Sequence, residues 1–321
     1  MANYEKISSK IEKVVIDNPA TANLLEWINI IDAGKKEIAY LRKLYDFDIQ
    51  HLHSSTATVF SQRPMVLDED RYLFVILHFP IFQNNRIVPA EIEFFIGHGF
   101  MITLHNNNLP TINDFFNLSK KSPESLDCYH ADSSAILLAE LLDRLMKDCY
   151  PLIDTNSLAI EKAQEAIFVG KQKDAVSMIL DLRHNIINIR RIMQNHKNIL
   201  KTFIGVKSSL VPQMEIKEHY KRLVENSKRI WEMLENQKEM VEVINNTNES
   251  LLNDRMANIM KTLTIFSVIV FPLTLLAAVF GMNAKYMPFV DNPFGFWQIL
   301  GLMTLLSMLM LIFFYKKKWL Q

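Results

Sequence analysis

The spacing of apolar residues changes along the chain, and each spacing predicts a different element. In the first third, "YLFVILHFP", "EIEFFIG" and "FMITLH" are short, rich in β-branched and aromatic side chains, and bounded by turn residues such as "NN" and "GHG". They read as strands, and residues 32–45 read as a helix between strands. From Ser133 or Ser134 onward the period lengthens. "SSAILLAELLDRLMKDCYPLI" predicts a capped helix interrupted near Pro151, and "DAVSMILDLRHNIINIRRIMQNHKNIL" predicts a second. After "GVKSSLVPQ" a third helix begins near Glu215. Its seam runs through Ile216, Tyr220, Leu223, Ile230, Leu234, Val241, Ile244 and Leu251, close to a seven-residue repeat, with Ser227, Gln237 and Asn248 as polar interruptions. Such a seam suggests self-association about an axis; packing on the domain's own helices is the alternative.

Two stretches near the end lose their polar face altogether. Residues 262–283 contain no charge, and neither do residues 292–315. At 1.5 Å per residue, about twenty residues cross the ~30 Å hydrocarbon core. "LGLMTLLSMLMLIFFY" is apolar on every side, unlike a half-exposed helix. Lys261 precedes the first stretch and Lys316, Lys317 and Lys318 follow the second, so the positive-inside rule puts both ends in the cytoplasm of an inner-membrane protein. Because no Pro or Gly separates Glu215 from the first span, the third helix is expected to continue into it, over a length on the order of 100 Å. The expected architecture is an α+β cytosolic domain over residues 1–130 and a helical stalk region over 131–258. A first span covers 259–283, an external loop 284–291, a second span 292–315 and a basic tail 316–321.

Composition narrows the function classes. Lys+Arg and Asp+Glu both number 35, a formal net charge of +0, without the basic excess of a nucleic-acid binder. Cys128 and Cys149 have no metal-type spacing and read as reduced cytosolic thiols. "MANYEKISSK" has no apolar core, so no cleaved leader is expected. His51 and His53 form an H-x-H pair that on a strand would point at one metal, but no Cys or carboxylate stands near to complete a site. Hydrogen-bonded or surface histidines are the simpler reading. Neither a phosphate-binding glycine loop nor a nucleophile elbow occurs, and nothing specifies an enzyme.

The polar residues of the first span form a pattern. Met260, Leu263, Thr264, Ser267, Phe271, Thr274 and Ala278 recur at three- and four-residue steps and share one face. Hydroxyls inside a membrane face protein or water rather than lipid, either as helix–helix contacts or along a pathway. Pro272 is expected to weaken the helix one turn earlier. The span ends in Gly281-Met282-Asn283. The glycine lets the chain leave the helix in a conformation barred to other residues. An asparagine carbonyl repeated about an axis would form a ring of neutral acceptors, suited to the water shell of Mg²⁺, which dehydrates reluctantly. An asparagine cap in a simple two-span anchor is the alternative.

At these residues the chain resembles the CorA family of magnesium channels. The likeness includes "MKTLTIFSVIVFPLT" before the Gly-Met-Asn triplet, "YMP" after it and the closing "KKKWL". Upstream, "WINI", "QRP", "DRYLFVIL" and "FMITLH" occur in the family's order. The resemblance implies a funnel-shaped homopentamer in the membrane, passing Mg²⁺ and also Co²⁺ or Ni²⁺, with no resident cofactor. Gly281, Met282 and Asn283 would be the selectivity filter and Asn283 the ion-binding ring, acting through hydration water. Met260, Leu263, Phe271 and Thr274 would line the pore inward, in agreement with the face already found. A zinc transporter of the ZntB-like branch and a non-conducting membrane-anchored scaffold are the alternatives; Met282 favours magnesium over zinc.

Several positions depart from the family's pattern. Phe289 stands where an acidic residue often follows "MP", leaving Asp291 as the acid of the external mouth, with Lys285 opposing it. Ala257 takes the place of a frequent inner asparagine. Thr56 and Arg222 fall at the principal pair of acidic Mg²⁺-sensing positions and Asn246 at a further one. A hard divalent ion finds few ligands there, so feedback closure by cytosolic Mg²⁺ is expected to be weak.

Overall fold

A computed structural model of the chain describes residues 3–17, 24–56, 63–69, 71–84, 86–131, 133–205, 215–282, 288, 293–317 and 319. They divide into two compact units, residues 1–244 and 245–321.

The first unit is built on seven strands: β1 (Asn3–Lys6), β2 (Ile11–Asp17), β3 (Leu24–Ile31), β4 (Met65–Asp68), β5 (Tyr72–Gln83), β6 (Arg86–Gly97) and β7 (Phe100–His105). Their order across the sheet is β1-β2-β3-β7-β6-β5-β4. Among the described strands only β3 and β7 pair in parallel, Trp27 opposite Met101; the other neighbours are antiparallel. The tight return from β6 to β7 needs Gly99, whose φ is +73°. The three predicted strands form as β5, β6 and β7, and β1, β2, β3 and β4, which are not among those predicted, extend the sheet on either side of them.

Both faces of the sheet are covered, so β5 is buried along nine consecutive residues instead of alternating. Trp27, Val75, Leu77, Phe94 and Met101 face one way, into a core with α3 (Pro110–Lys121), α5 (Ser134–Lys147) and later helices. Ile28, Ile30, Phe74, Ile76, Phe95 and Ile102 face the other, where α1 (Lys35–Leu44) and α2 (Ile49–Ser54) close the layer. Trp27 Nε1 donates to Thr103 Oγ1 at 3.1 Å, and the Thr103 hydroxyl donates to Asn29 Oδ1 at 2.7 Å, so this buried polar chain is satisfied.

The helical region is more divided than its pattern predicts. A short α4 (Asp127–Ala131) precedes α5. The interruption foreseen near Pro151 falls at Asp148, which links α5 to a separate helix α6 (Cys149–Phe168); the proline sits in its first turn, where its missing N–H is harmless. The second predicted helix is two, α7 (Gln172–Met193) and α8 (His196–Gly205). The third is one unbroken helix, α9 (Glu215–Phe280), 66 residues that carry on through Pro272. A last helix, α10 (Gly295–Lys316), follows.

The N-terminal part of the α9 seam is not used for self-association. Tyr220, Leu223, Ile230 and Leu234 are buried in the chain's own core, and Val241 and Ile244 are buried too. The polar interruptions serve the same packing: Gln237 Nε2 donates to the Ile153 carbonyl at 2.7 Å and to Ser157 Oγ at 2.8 Å. The Tyr220 hydroxyl donates to the Ala135 carbonyl at 3.0 Å. The partners of this stretch are thus α5 and α6 of the same chain.

Cys128 and Cys149 are free and buried, and burial pushes the Cys149 thiol up to about 12, which keeps it protonated and unreactive.

Candidate functional site

Both α9 and α10 contain stretches long and apolar enough to cross a membrane, and their side chains are largely uncovered. A soluble core helix would be buried instead. At about 100° per residue, Met260, Leu263, Thr264, Ser267, Phe271, Thr274 and Ala278 fall within an arc of about 100°. All are exposed except half-buried Ser267; Phe271 is 70% exposed. The covered positions lie on the opposite side: Ile265 is buried, and Ile269, Pro272, Leu273, Leu276 and Phe280 are half-buried. The C-terminal unit thus covers one side of this helix and leaves the hydroxyl-bearing side open.

The hydroxyls on that open side point their hydrogens backwards. Thr264 Oγ1 donates to the Met260 carbonyl at 2.8 Å, Ser267 Oγ to Leu263 at 3.0 Å and Thr274 Oγ1 to Val270 at 2.8 Å. Each hydrogen is satisfied within the helix, while the oxygen keeps lone pairs for an outside donor. The open side therefore presents acceptors. The water shell of a cation has the matching polarity, because its hydrogens point outward.

The end of the helix corrects one expectation. Gly281 N–H still bonds Ala277 O at 2.9 Å, and Met282 N–H reaches Val279 O at 3.2 Å in a tighter last turn. Among the described glycines positive φ occurs at Gly99 and Gly170, so Gly281 does not supply a left-handed exit. It supplies room. A Cβ there would stand 3.0 Å from the Ala277 carbonyl oxygen. Met282 is exposed. Asn283 and Asp291, with Lys285 and Phe289, lie outside the described residues.

In the first unit Thr56 follows α2, its hydroxyl donating to the His53 carbonyl at 2.9 Å. It borders a cavity of about 30 Å³, room for about one water, lined also by Ser55, Glu91, Glu93 and His105. The two carboxylates are not among the residues predicted from the sequence, although "EIE" on a strand puts both glutamates on one face. Glu91 is bound to His78, Oε2 to Nε2 at 2.8 Å. Glu93 is buried, its Oε2 has no hydrogen-bond partner, and desolvation pushes its carboxyl up to about 8. Arg222 is exposed and contacts His219 Nδ1 at 3.1 Å, and Asn246 is exposed. Among the described residues no three His, Cys, Asp or Glu side chains are grouped to hold a metal. The H-x-H pair sits on helix α2, where a two-residue step points the rings apart. His51 Nδ1 meets the Tyr72 hydroxyl at 2.9 Å, the hydrogen-bonded reading.

This architecture and sequence have known counterparts. The family model described as "CorA-like Mg2+ transporter protein" matches residues 23–317. The protein YfjQ of Bacillus subtilis is 26% identical over 91% of this chain and 89% of its own length. The cobalt/magnesium transport protein CorA of Methanocaldococcus jannaschii is 21% identical over 92% and 91%. The complete structure of the CorA magnesium transporter from Methanocaldococcus jannaschii superposes with a TM-score of 0.82 at 20% identity, covering 98% of this chain and all of that one. The ZntB cytoplasmic domain from Vibrio parahaemolyticus shares the fold over 79% of this chain and 98% of its own, with a TM-score of 0.58 at 16% identity. With an α+β domain, one long helix entering the first of two C-terminal apolar spans, and a family match over nearly its whole length, the chain belongs to the CorA family of divalent-cation transporters, which are membrane proteins and not enzymes.

Proposed function

We propose that the chain forms a homopentameric channel of the cell membrane that carries Mg²⁺ inward, with Co²⁺ and Ni²⁺ as further passengers. The observation that carries this reading is the open side of α9, where three back-bonded hydroxyls present acceptors between exposed apolar residues. Five copies with that side turned to an axis would stack neutral oxygen rings, at Thr264, Ser267 and Thr274, against a hydrated ion. Neutral oxygens hold a divalent ion weakly enough to release it. Met260, Leu263 and Phe271 would form dry constrictions between the rings, able to gate by dewetting. Asn283 would form the outermost ring of the Gly281-Met282-Asn283 filter, and Asp291 would draw cations to the mouth. Both termini are cytoplasmic in this arrangement, and lipid covers the outer faces of the spans. The relatives named for magnesium and cobalt transport support this ion class.

The test is Mg²⁺ entry into proteoliposomes holding a Mg²⁺-sensitive dye, driven by a negative-inside potential. Entry is expected to be blocked by excess Co²⁺ and little affected by equimolar Zn²⁺. Zn²⁺ flux exceeding Mg²⁺ flux would move the chain to the zinc-transporting reading, and the absence of any flux from a well-folded oligomer would refute conduction.

Regulation by cytosolic Mg²⁺ is expected to be weak. Beside Thr56 the carboxylates are unavailable: Glu91 is bound to His78, and Glu93 is held neutral near pH 7 by burial. Arg222 adds a positive charge at its own position. Low-millimolar Mg²⁺ on the cytosolic side should therefore leave most of the flux intact; sharp closure in that range would disprove the assignment.

A further inference from the structure

A cleft of about 410 Å³ opens between α7 and the cytosolic part of α9. Pockets that enclose a small molecule span roughly 300–1,000 Å³. Arg183, Arg190 and Arg191 reach it from α7, at steps of seven and eight residues that share a helix face, and Lys238 reaches it from α9. Two carboxylates oppose them. Glu242 lines the cleft, and Glu235 holds Arg190 at 2.6 Å and Lys238 at 3.2 Å. Four cations against two carboxylates leave an excess of two positive charges. Arg183 and Arg191 are exposed and in no ion pair among the described residues.

The rest of the wall is apolar and aromatic. Ile186 and Val241 are buried at it, and Trp231 is half-buried with the Arg190 guanidinium 4.7 Å from its ring centre. Arg190 is thus fixed twice, by Glu235 and by the indole, before any ligand arrives. Like charges gathered beside an apolar wall repel one another at reduced screening, and an anion would relieve that repulsion. Guanidinium groups recognise phosphate oxygens by paired hydrogen bonds, and flat rings stack on indole.

We propose that this cleft binds a nucleoside polyphosphate, its base against Trp231 and its phosphates on Arg183 and Arg191. The cation-free form is the one that fits. It carries more negative charge than the Mg²⁺ complex, and its terminal oxygens are free for arginine. Cation-free nucleotide becomes more abundant when Mg²⁺ is scarce, so the cleft reports Mg²⁺ shortage where the acidic sensing positions are lost. That regulatory sense rests on the channel reading, whereas binding itself does not.

Isothermal titration calorimetry on the full chain in detergent, with ATP in EDTA-containing buffer, tests the site. Saturable binding is expected, weakened at least tenfold by excess Mg²⁺ and at least tenfold by the exposed double variant Arg183→Ala/Arg191→Ala. Tripolyphosphate and adenosine should each bind more weakly than ATP. Four results would overturn the proposal: no ATP binding, an affinity that the double variant leaves unchanged, tripolyphosphate matching ATP, or a variant of altered oligomeric state, which would assign the arginines to contact between copies. Mg²⁺ flux in proteoliposomes is read separately, so failure of the channel reading and failure of this site are distinguishable.

Discussion

Asn283→Ala should reduce potential-driven Mg²⁺ entry to the leak of protein-free vesicles. In the proposed pentamer the substitution would remove one amide oxygen per subunit, five in all, from the outermost ring of the filter. A net hydrogen bond is worth about 0.5–1.5 kcal/mol, so losing five would weaken the hydrated ion's hold by about 2.5 kcal/mol or more, close to a hundredfold. The fall should not reflect misfolding. Asn283 follows the last helical turn, in which Gly281 still bonds Ala277 and Met282 bonds Val279, so α9 does not depend on the amide. Dye-reported Mg²⁺ entry, compared at matched reconstitution and identical oligomeric elution, decides the matter. Wild-type rates in the alanine variant would remove the selectivity role from Asn283. Asn283→Gln separates chemistry from placement: it keeps the amide but moves it outward by one methylene, and partial flux is expected.

Glu93→Gln should change how the first unit responds to pH. In the folded chain the Glu93 carboxyl titrates at about 8, mainly because burial disfavours its charge, against 4.5 for an ordinary glutamate. The native state then keeps a proton that the unfolded chain has released. Stability consequently falls as pH rises from 4.5 towards 8, by about 1.4 kcal/mol per pH unit, and levels off above 8. At pH 7 the accumulated loss is about 3 kcal/mol. Glutamine cannot ionise, so this component of the pH dependence disappears. Thermal melts of both proteins between pH 5 and 8 should diverge steadily, the variant gaining relative to the wild type at each step. Parallel curves would mean that Glu93 is charged in the folded protein near neutral pH.

The sequence showed the fold most clearly where a pattern has one cause. The second span is apolar on every side, as a helix that crosses a membrane is, and β5 is a nearly unbroken apolar run because helices cover both sheet faces. Where two causes compete, the pattern misled. The α9 seam has the period of a coiled coil, yet Tyr220, Leu223, Ile230 and Leu234 fill the chain's own core, and nothing in spacing distinguishes a partner in another copy from α5 and α6. Asp148 ends α5 without a proline or glycine, so α6 was hidden behind Pro151. At the candidate site, three- and four-residue steps identified the hydroxyl face of α9, but the direction of each hydroxyl hydrogen depends on backbone geometry. The Glu91–Glu93 pair escaped because its meaning comes from burial, and an alternating strand pattern ordinarily turns charged residues to solvent.

The back-bonded hydroxyls of α9 bear on what drives the ion. Between Thr262 and Met282 the helix carries no acid, base, histidine, tyrosine or cysteine. Thr264, Ser267 and Thr274 commit their hydrogens to carbonyls one turn back. Such a surface has no side chain that can take up a proton on one side and release it on the other. A proton relay would have to break a helix-internal bond at each step. On the channel reading, movement along this face is not coupled to a proton gradient through these side chains, and the membrane potential acting on the metal's own charge supplies the work. For a divalent ion that is about 4.6 kcal/mol per 100 mV of membrane potential, enough to sustain inward flux without a second ion.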